Sequence, residues 1–360
     1  MLMIVIGTRP EAIKLAPVAL AAAADRRMEV AVVRTRQHRE MLDPMIEHFG
    51  LPVVADLDIM REDQGLAEVT AAALTGLART IAELRPACVV VQGDTTTAMC
   101  GALAASYQRV PVAHVEAGLR TYDRQQPFPE ELNRCLTAQL ADLHFAPTVG
   151  ARDNLRREGI DAARIHITGN TAIDALQHTL ATLPPPAATT GRQILVTAHR
   201  RENHGEPMDR ICAALRALVD RFDDVTVRFP VHLSPRVRAT VLPRLDDHPR
   251  IELEPPLGYP QFVQAMRQAY FIVSDSGGIQ EEAPSLGKPV LVLRERTERP
   301  EAVEAGCARL VGTQTQRVLE HASALLTDRA AYDAMAGAHN PFGDGTAGAK
   351  IVEHLVARFG

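Results

Sequence analysis

Short apolar runs alternate with stretches of helical length from one end of this 360-residue chain to the other. A first set of runs lies at Leu2–Ile6, Val30–Val33, Ala87–Val91, Val110–Val115 and Leu143–Ala146. A second set lies at Ile194–Thr197, Val225–Phe229, Ile251–Leu253, Tyr270–Val273, Val290–Leu293 and Arg309–Val311. Runs this short, apolar throughout rather than at every second residue, fit strands covered on both faces. Ala-rich or amphipathic stretches such as 65–84 and 95–106 supply the covering helices. Strand–helix alternation makes parallel sheets. Two successive sets therefore imply an α/β chain of two Rossmann-like, doubly wound domains with an interdomain cleft.

The length suits two domains of moderate size. The boundary is expected near residues 168–172, with 1–169 as the N-terminal domain and 170–343 as the C-terminal one. A helix at 344–360, after the break Pro341-Phe342-Gly343-Asp344-Gly345, is expected to pack back on the N-terminal domain. The low-complexity run Leu183–Gly191 reads as a loop just inside the second domain, behind a helix at 171–182.

Composition excludes more than it identifies. A net charge of −5 leaves no basic footprint for nucleic acid. Five cysteines without CxxC spacing argue against zinc and disulfides and favour a reducing cytoplasm. The opening Met1–Gly7 is too short for a signal peptide, and no apolar run approaches a membrane span. There is no P-loop, no HExxH and no GxSxG elbow, and the turn after the first strand, Gly7–Glu11, is not GxGxxG. A pyrophosphate would have to be neutralised by Arg, His and backbone N–H groups rather than by a metal.

The strongest anion signal is late in the chain. Phe271-Ile272-Val273-Ser274 reads as a core strand, Ser276-Gly277-Gly278 as a turn, and the following residues as a helix. Glycines let a ligand approach the backbone, and the helix start points free N–H groups at it. Glu281 and Glu282 follow one turn later, where a ribose diol would lie.

Other polar groups fall at strand ends, where ligands bind in such sheets. Gly7-Thr8-Arg9-Pro10-Glu11 follows the first strand, with Pro10 starting a helix. Asp94 ends another strand; its competing reading is a helix cap by Asp94 or Thr95. Glu116 breaks the end of the next, with His114 on the same side if the strand persists. Its competing reading is an ion pair with Arg120. Pro127–Pro129 opens a helix at Glu130 and Glu131, acids that also suit the helix dipole. His199 and Arg200 end the first strand of the second set, and Arg299 follows a later one.

Taken in order, several motifs resemble the non-hydrolysing UDP-N-acetylglucosamine 2-epimerases. They are Gly7-Thr8-Arg9-Pro10-Glu11, Gln37-His38-Arg39-Glu40, Gly93-Asp94-Thr95-Thr96-Thr97, His114–Thr121, Pro127–Arg134, Thr168–Thr171, His199–Glu202, Asp275–Val290 and Thr297–Glu301. The resemblance implies a glycosyltransferase-B fold and interconversion of UDP-N-acetylglucosamine (UDP-GlcNAc) and UDP-N-acetylmannosamine (UDP-ManNAc). The implied route is elimination of UDP to 2-acetamidoglucal and re-addition, without redox cofactor or metal. It implies Asp94, Glu116 and Glu130 as acid/base residues and His199 as support for the departing diphosphate. Arg9, Ser276, Gly277, Gly278 and Arg299 would hold phosphate, Glu282 the ribose, the Phe262 backbone the uracil, and Lys14 and Arg134 would position substrate. Gln37, His38, Gln64, Glu131, Arg201 and His232 would form a second site where UDP-GlcNAc acts as activator. A homodimer is implied too. The competing readings are an epimerase of a diacetamido UDP-sugar, a hydrolysing relative, a glycosyltransferase of the same fold, and a nucleotide-sugar sensor.

Overall fold

The computed structural model describes residues 1–37, 39–61, 63–186 and 191–360. The chain divides into two compact units, Met1–Ala175 with Phe342–Gly360, and Leu176–Pro341. The low-complexity loop expected at 183–191 lies in part outside the described residues.

In the first unit the elements are β1 (Leu2–Ile6), α1 (Arg9–Asp25), β2 (Val30–Arg34), α2 (Arg39–Phe49), β3 (Val53–Asp56) and α3 (Leu66–Leu84). Then come β4 (Cys88–Gln92), α4 (Thr96–Tyr107), β5 (Val112–Val115), α5 (Glu130–Leu140), β6 (Leu143–Ala146), α6 (Val149–Arg157), β7 (Ile165–Ile167) and α7 (Thr171–Thr182), within which the division falls. Its seven strands run in the order β3-β2-β1-β4-β5-β6-β7, every pair parallel. β1, β4 and β5 are buried along their whole length, which is why they are apolar throughout. β3 and β7 did not show in the hydrophobic pattern, because both are short edge strands with half-buried and exposed positions.

In the second unit follow β8 (Arg192–Thr197), α8 (Glu206–Arg221), β9 (Val225–Pro230), α9 (Pro235–Leu245), β10 (Ile251–Glu254), α10 (Tyr259–Gln268), β11 (Phe271–Ser274) and α11 (Gly277–Glu282). β12 (Val290–Val292), α12 (Pro300–Glu304), β13 (Ala308–Leu310), α13 (Thr315–Thr327) and α14 (Arg329–Ala336) complete it. The sheet order is β10-β9-β8-β11-β12-β13, again parallel. Both sheets have helices as crossovers, as right-handed parallel connections require. The two-domain, doubly wound α/β reading is therefore what the chain adopts.

The last helix, α15 (Ala347–Phe359), belongs to the first unit and packs on α1. The approach is close: a Cβ on Gly348 would lie 2.9 Å from the Pro17 carbonyl oxygen. Among the described residues, no helix is long and apolar enough to cross a membrane.

In each sheet the order reverses between two neighbouring strands, β1 and β4 in the first and β8 and β11 in the second. The crevice at the carboxyl ends of such strands is where doubly wound sheets bind ligands.

Candidate active site

In the first unit, the turns after β1, β4 and β5 bring together the expected acids and their cations. Glu116 follows β5 directly, and its backbone takes a left-handed φ of +60°. A non-glycine residue pays strain for that conformation, a feature that concentrates at functional sites. The left-handed turn ends the strand alternation at Val115, so His114 and Glu116 do not form the expected same-side pair. His114 is buried instead, with Nε2 2.8 Å from the Gly93 carbonyl. Burial pushes its imidazole down to about 4, so it is neutral at pH 7.

The Glu116 carboxylate accepts a hydrogen bond from Lys14 Nζ on α1, and both side chains are largely shielded from solvent. Arg120, the partner considered from sequence, turns away and grips Glu158 at 2.7 Å. Asp94 pairs with Arg134 of α5, Oδ2 lying 2.6 Å from Nη2 and 2.9 Å from Nε. Asn133 Nδ2 donates to the Asp94 carbonyl at 2.9 Å. Thr95, not Asp94, caps α4, accepting from the Ala98 N–H at 3.0 Å. Glu130 is half-buried at the first position of α5. Two carboxylates thus stand at adjacent strand ends, each with a cation fixing its rotamer.

The described residues among those expected at a second site fall into three groups. Glu131 is buried and faces inward: it takes Arg134 Nη1 at 2.9 Å and the N–H groups of Thr121 and Tyr122 at 3.0 and 2.9 Å. Gln37 Oε1 accepts from Thr97 Oγ1 at 2.9 Å. Both are therefore bonded to the segment that carries Asp94 or to its arginine. Gln64 is on a loop and accepts from the Arg61 N–H at 2.7 Å. In the second unit Arg201 is exposed, and His232 stacks on His199 with ring centroids 5.7 Å apart. His38 lies outside the described residues.

The second unit builds an anion cradle around α11. His199 and Arg200 follow β8, and Asp275 follows β11 beside it. Asp275 is fully buried. It stands 3.1 Å from His199 Nδ1 and accepts the N–H groups of His199 and Arg200 and the Asn203 amide, each at 2.9 Å. Burial alone would raise its carboxyl, but these donors, led by His199, hold it below the ordinary aspartate value. In the sequence, Asp275 is one member of the Asp275–Val290 motif. Its signal was an acid directly after an apolar strand, where a lone carboxylate is costly.

A Cβ built on Gly277 would lie 3.9 Å from Arg200 Nη2 and 4.0 Å from Arg299 Nη2. Two guanidinium groups thus converge on the glycine turn, where the first N–H groups of α11 also point. Arg299 is buried and bonded through Nε to Glu281, itself buried. Glu281 is therefore the brace of Arg299, leaving Glu282, half-buried, as the acid near the turn. Gln280 ties the loop down, donating to the Ser276 carbonyl at 3.1 Å and accepting from Thr297 Oγ1 at 2.7 Å. Phe262 is half-buried on α10, its N–H donated to the Gly258 carbonyl at 2.8 Å. Tyr259, buried on the same helix, titrates well above its usual range because burial, and then the Glu282 charge, oppose the phenolate.

The family model described as UDP-N-acetylglucosamine 2-epimerase matches residues 20–356. The chain belongs to this family. The UDP-N-acetylglucosamine 2-epimerase of Escherichia coli (strain K12) is 50% identical over 364 residues, covering 98% of this chain and 97% of that one. The crystal structure of the Neisseria meningitidis UDP-GlcNAc 2-epimerase, bound to UDP-GlcNAc, superposes with a TM-score of 0.93 at 44% identity, covering 99% of this chain and 100% of that one. The S. aureus MnaA–UDP structure gives a TM-score of 0.90 at 47% identity, with 98% and 95% covered. The glycosyltransferase SnogD of Streptomyces nogalater, at 18% identity and a TM-score of 0.65, shares the fold alone, covering 100% of this chain and 99% of that one. The fold of this epimerase-family chain is thus the glycosyltransferase-B fold.

Proposed function

We propose that this chain interconverts UDP-GlcNAc and UDP-ManNAc by inverting C2 of the sugar. The observation that carries the reading is its end-to-end likeness to the N. meningitidis epimerase bound to UDP-GlcNAc. The cation-flanked turn at Gly277 suits the diphosphate of such a ligand.

The C2 proton is not next to a carbonyl, so its direct removal is too slow to be useful. Elimination avoids the difficulty. One carboxylate takes the C2 proton as the C1–O bond breaks, and UDP leaves with the bonding pair. The product is 2-acetamidoglucal. A second carboxylate returns a proton to the opposite face of C2 while a β-phosphate oxygen of UDP re-forms the bond to C1. Protons and electrons balance without an oxidant. Asp94, Glu116 and Glu130 supply the acid and base, and Lys14 and Arg134 fix the first two. His199, oriented by Asp275, and Arg9, Arg200, Arg299 and the Ser276–Gly278 turn hold UDP as leaving group and returning nucleophile. Glu282 takes the ribose hydroxyls, and α10 at Phe262 faces the base.

UDP-GlcNAc also acts as activator at a site including Gln37, Gln64, Glu131, Arg201 and His232. The bonds from Gln37 to Thr97 and from Glu131 to Arg134 give that site a direct hold on the Asp94 segment. The enzyme works as a homodimer in the cytoplasm, where its five free cysteines stay reduced.

The test is the saturation curve from each side. UDP-GlcNAc alone gives a sigmoidal rate, and pure UDP-ManNAc is converted only after a trace of UDP-GlcNAc is added. Hyperbolic kinetics in both directions would remove the activator site, and no UDP-ManNAc from UDP-GlcNAc would remove the reading altogether.

A further inference from the structure

Glu11 lies at the third position of α1 and is fully buried. Its Oε2 accepts the N–H groups of Gly7 and Thr8 at 2.9 and 2.7 Å and the Thr8 hydroxyl at 2.9 Å. Its Oε1 accepts the Thr95 hydroxyl at 2.6 Å. Thr8 directly precedes Arg9, and Thr95 directly follows Asp94. One carboxylate therefore spans the turns that carry the phosphate-holding arginine and the acid/base aspartate. β1 and β4, which feed those turns, are neighbours in the sheet.

A helix cap alone does not require this. In the same chain α3 is capped in the same manner by Glu68, whose Oε2 accepts the Gly65 N–H at 2.7 Å, and that pair is exposed. Burying a carboxylate is costly, and burial raises the Glu11 carboxyl to about 7 even though the Thr95 and Thr8 hydroxyls and the Gly7 and Thr8 amides pull it back. The space between the turns is also filled to contact. A Cβ on Gly7 would lie 2.2 Å from Thr97 Oγ1 and 2.6 Å from Thr35 Oγ1. The two turns have no slack, and Glu11 is bonded to both.

We propose that Glu11 is a positioning residue for the reaction, fixing the Arg9 turn against the Asp94 turn through its bonds to Gly7, Thr8 and Thr95. This rests on the roles given above to Arg9 and Asp94. The test compares Glu11→Ala, Glu11→Gln and, as a pure cap control, Glu68→Ala, with folding checked by circular dichroism and kcat and KM measured with UDP-GlcNAc. Glu11→Ala loses at least about 30-fold in kcat while still folded, and KM rises. Glu11→Gln, whose amide accepts from Gly7 and Thr8 and donates to Thr95, recovers kcat to within about fivefold of wild type. Glu68→Ala lowers Tm and leaves kcat unchanged. Should Glu11→Ala not fold, Thr95→Val and Thr95→Ser decide: valine lowers kcat at least about tenfold and serine restores it. Folded Glu11→Ala with wild-type kcat and KM, or Thr95→Val with wild-type kcat, overturns the inference and leaves the epimerase reading standing. A wild-type protein that does not convert UDP-GlcNAc overturns both.

Discussion

Replacing Glu116 with Gln stops turnover while UDP still binds. Glutamine keeps the shape and can accept the Lys14 hydrogen bond, so the fold survives with a loss of about 1–3 kcal/mol. What it cannot do is take or give a proton. General acid–base catalysis contributes about 10²–10⁴ in rate, and a C2 proton without a neighbouring carbonyl needs the upper end. We expect kcat to fall at least about 10³-fold, near 4 kcal/mol in the barrier. The UDP affinity, measured by calorimetry, stays within about threefold, because the phosphate-holding groups are in place. Asp94→Asn behaves alike, its amide oxygen still meeting Arg134. A variant that turns over normally, or one that loses UDP binding along with activity, would make these acids structural.

Removing Arg299 has the second large effect, and it separates into two parts. Arg299→Ala leaves Glu281 buried without its cation. Breaking such a pair costs about 3–5 kcal/mol of stability, enough to unfold much of a marginal protein. It also removes one of the two guanidinium groups beside Gly277. The double variant Arg299→Ala/Glu281→Ala removes the orphaned charge and so recovers most of the lost Tm. It does not recover UDP binding, which falls about 10–100-fold for a lost charge-assisted contact of about 1.5–3 kcal/mol. Restored UDP affinity in the double variant would show that Arg299 serves the fold and not the ligand.

The architecture was legible because buried parallel strands leave an unbroken apolar run. β4 reads Cys88-Val89-Val90-Val91 and is buried throughout. The edge strands β3 and β7 were not, since partial exposure lets polar residues such as Asp56 and His166 into them. Strand-end residues such as Asp94 and Glu116 were legible as candidates because doubly wound sheets present those positions to ligands. Their partners were harder. Strand alternation put His114 beside Glu116, and the left-handed turn at Glu116 undid it. Glu131 reads as a first-turn acid serving the helix dipole, yet it is buried against Arg134 and the Thr121–Tyr122 backbone. Asp275 reaches His199 across 76 residues, and Glu11 reaches Thr95 across 84. No local pattern carries contacts of that range, so positioning groups stay hidden where the groups they position do not.

Proton exchange at C2 tests the account most directly. The protein is incubated with UDP-GlcNAc in deuterated water and the nucleotide sugars are followed by NMR and mass spectrometry. The account predicts UDP-ManNAc carrying deuterium at C2, with UDP-GlcNAc acquiring it as equilibrium is approached. UDP-ManNAc that keeps the original hydrogen at C2, or a mixture containing only unchanged UDP-GlcNAc or free N-acetylmannosamine, would contradict it.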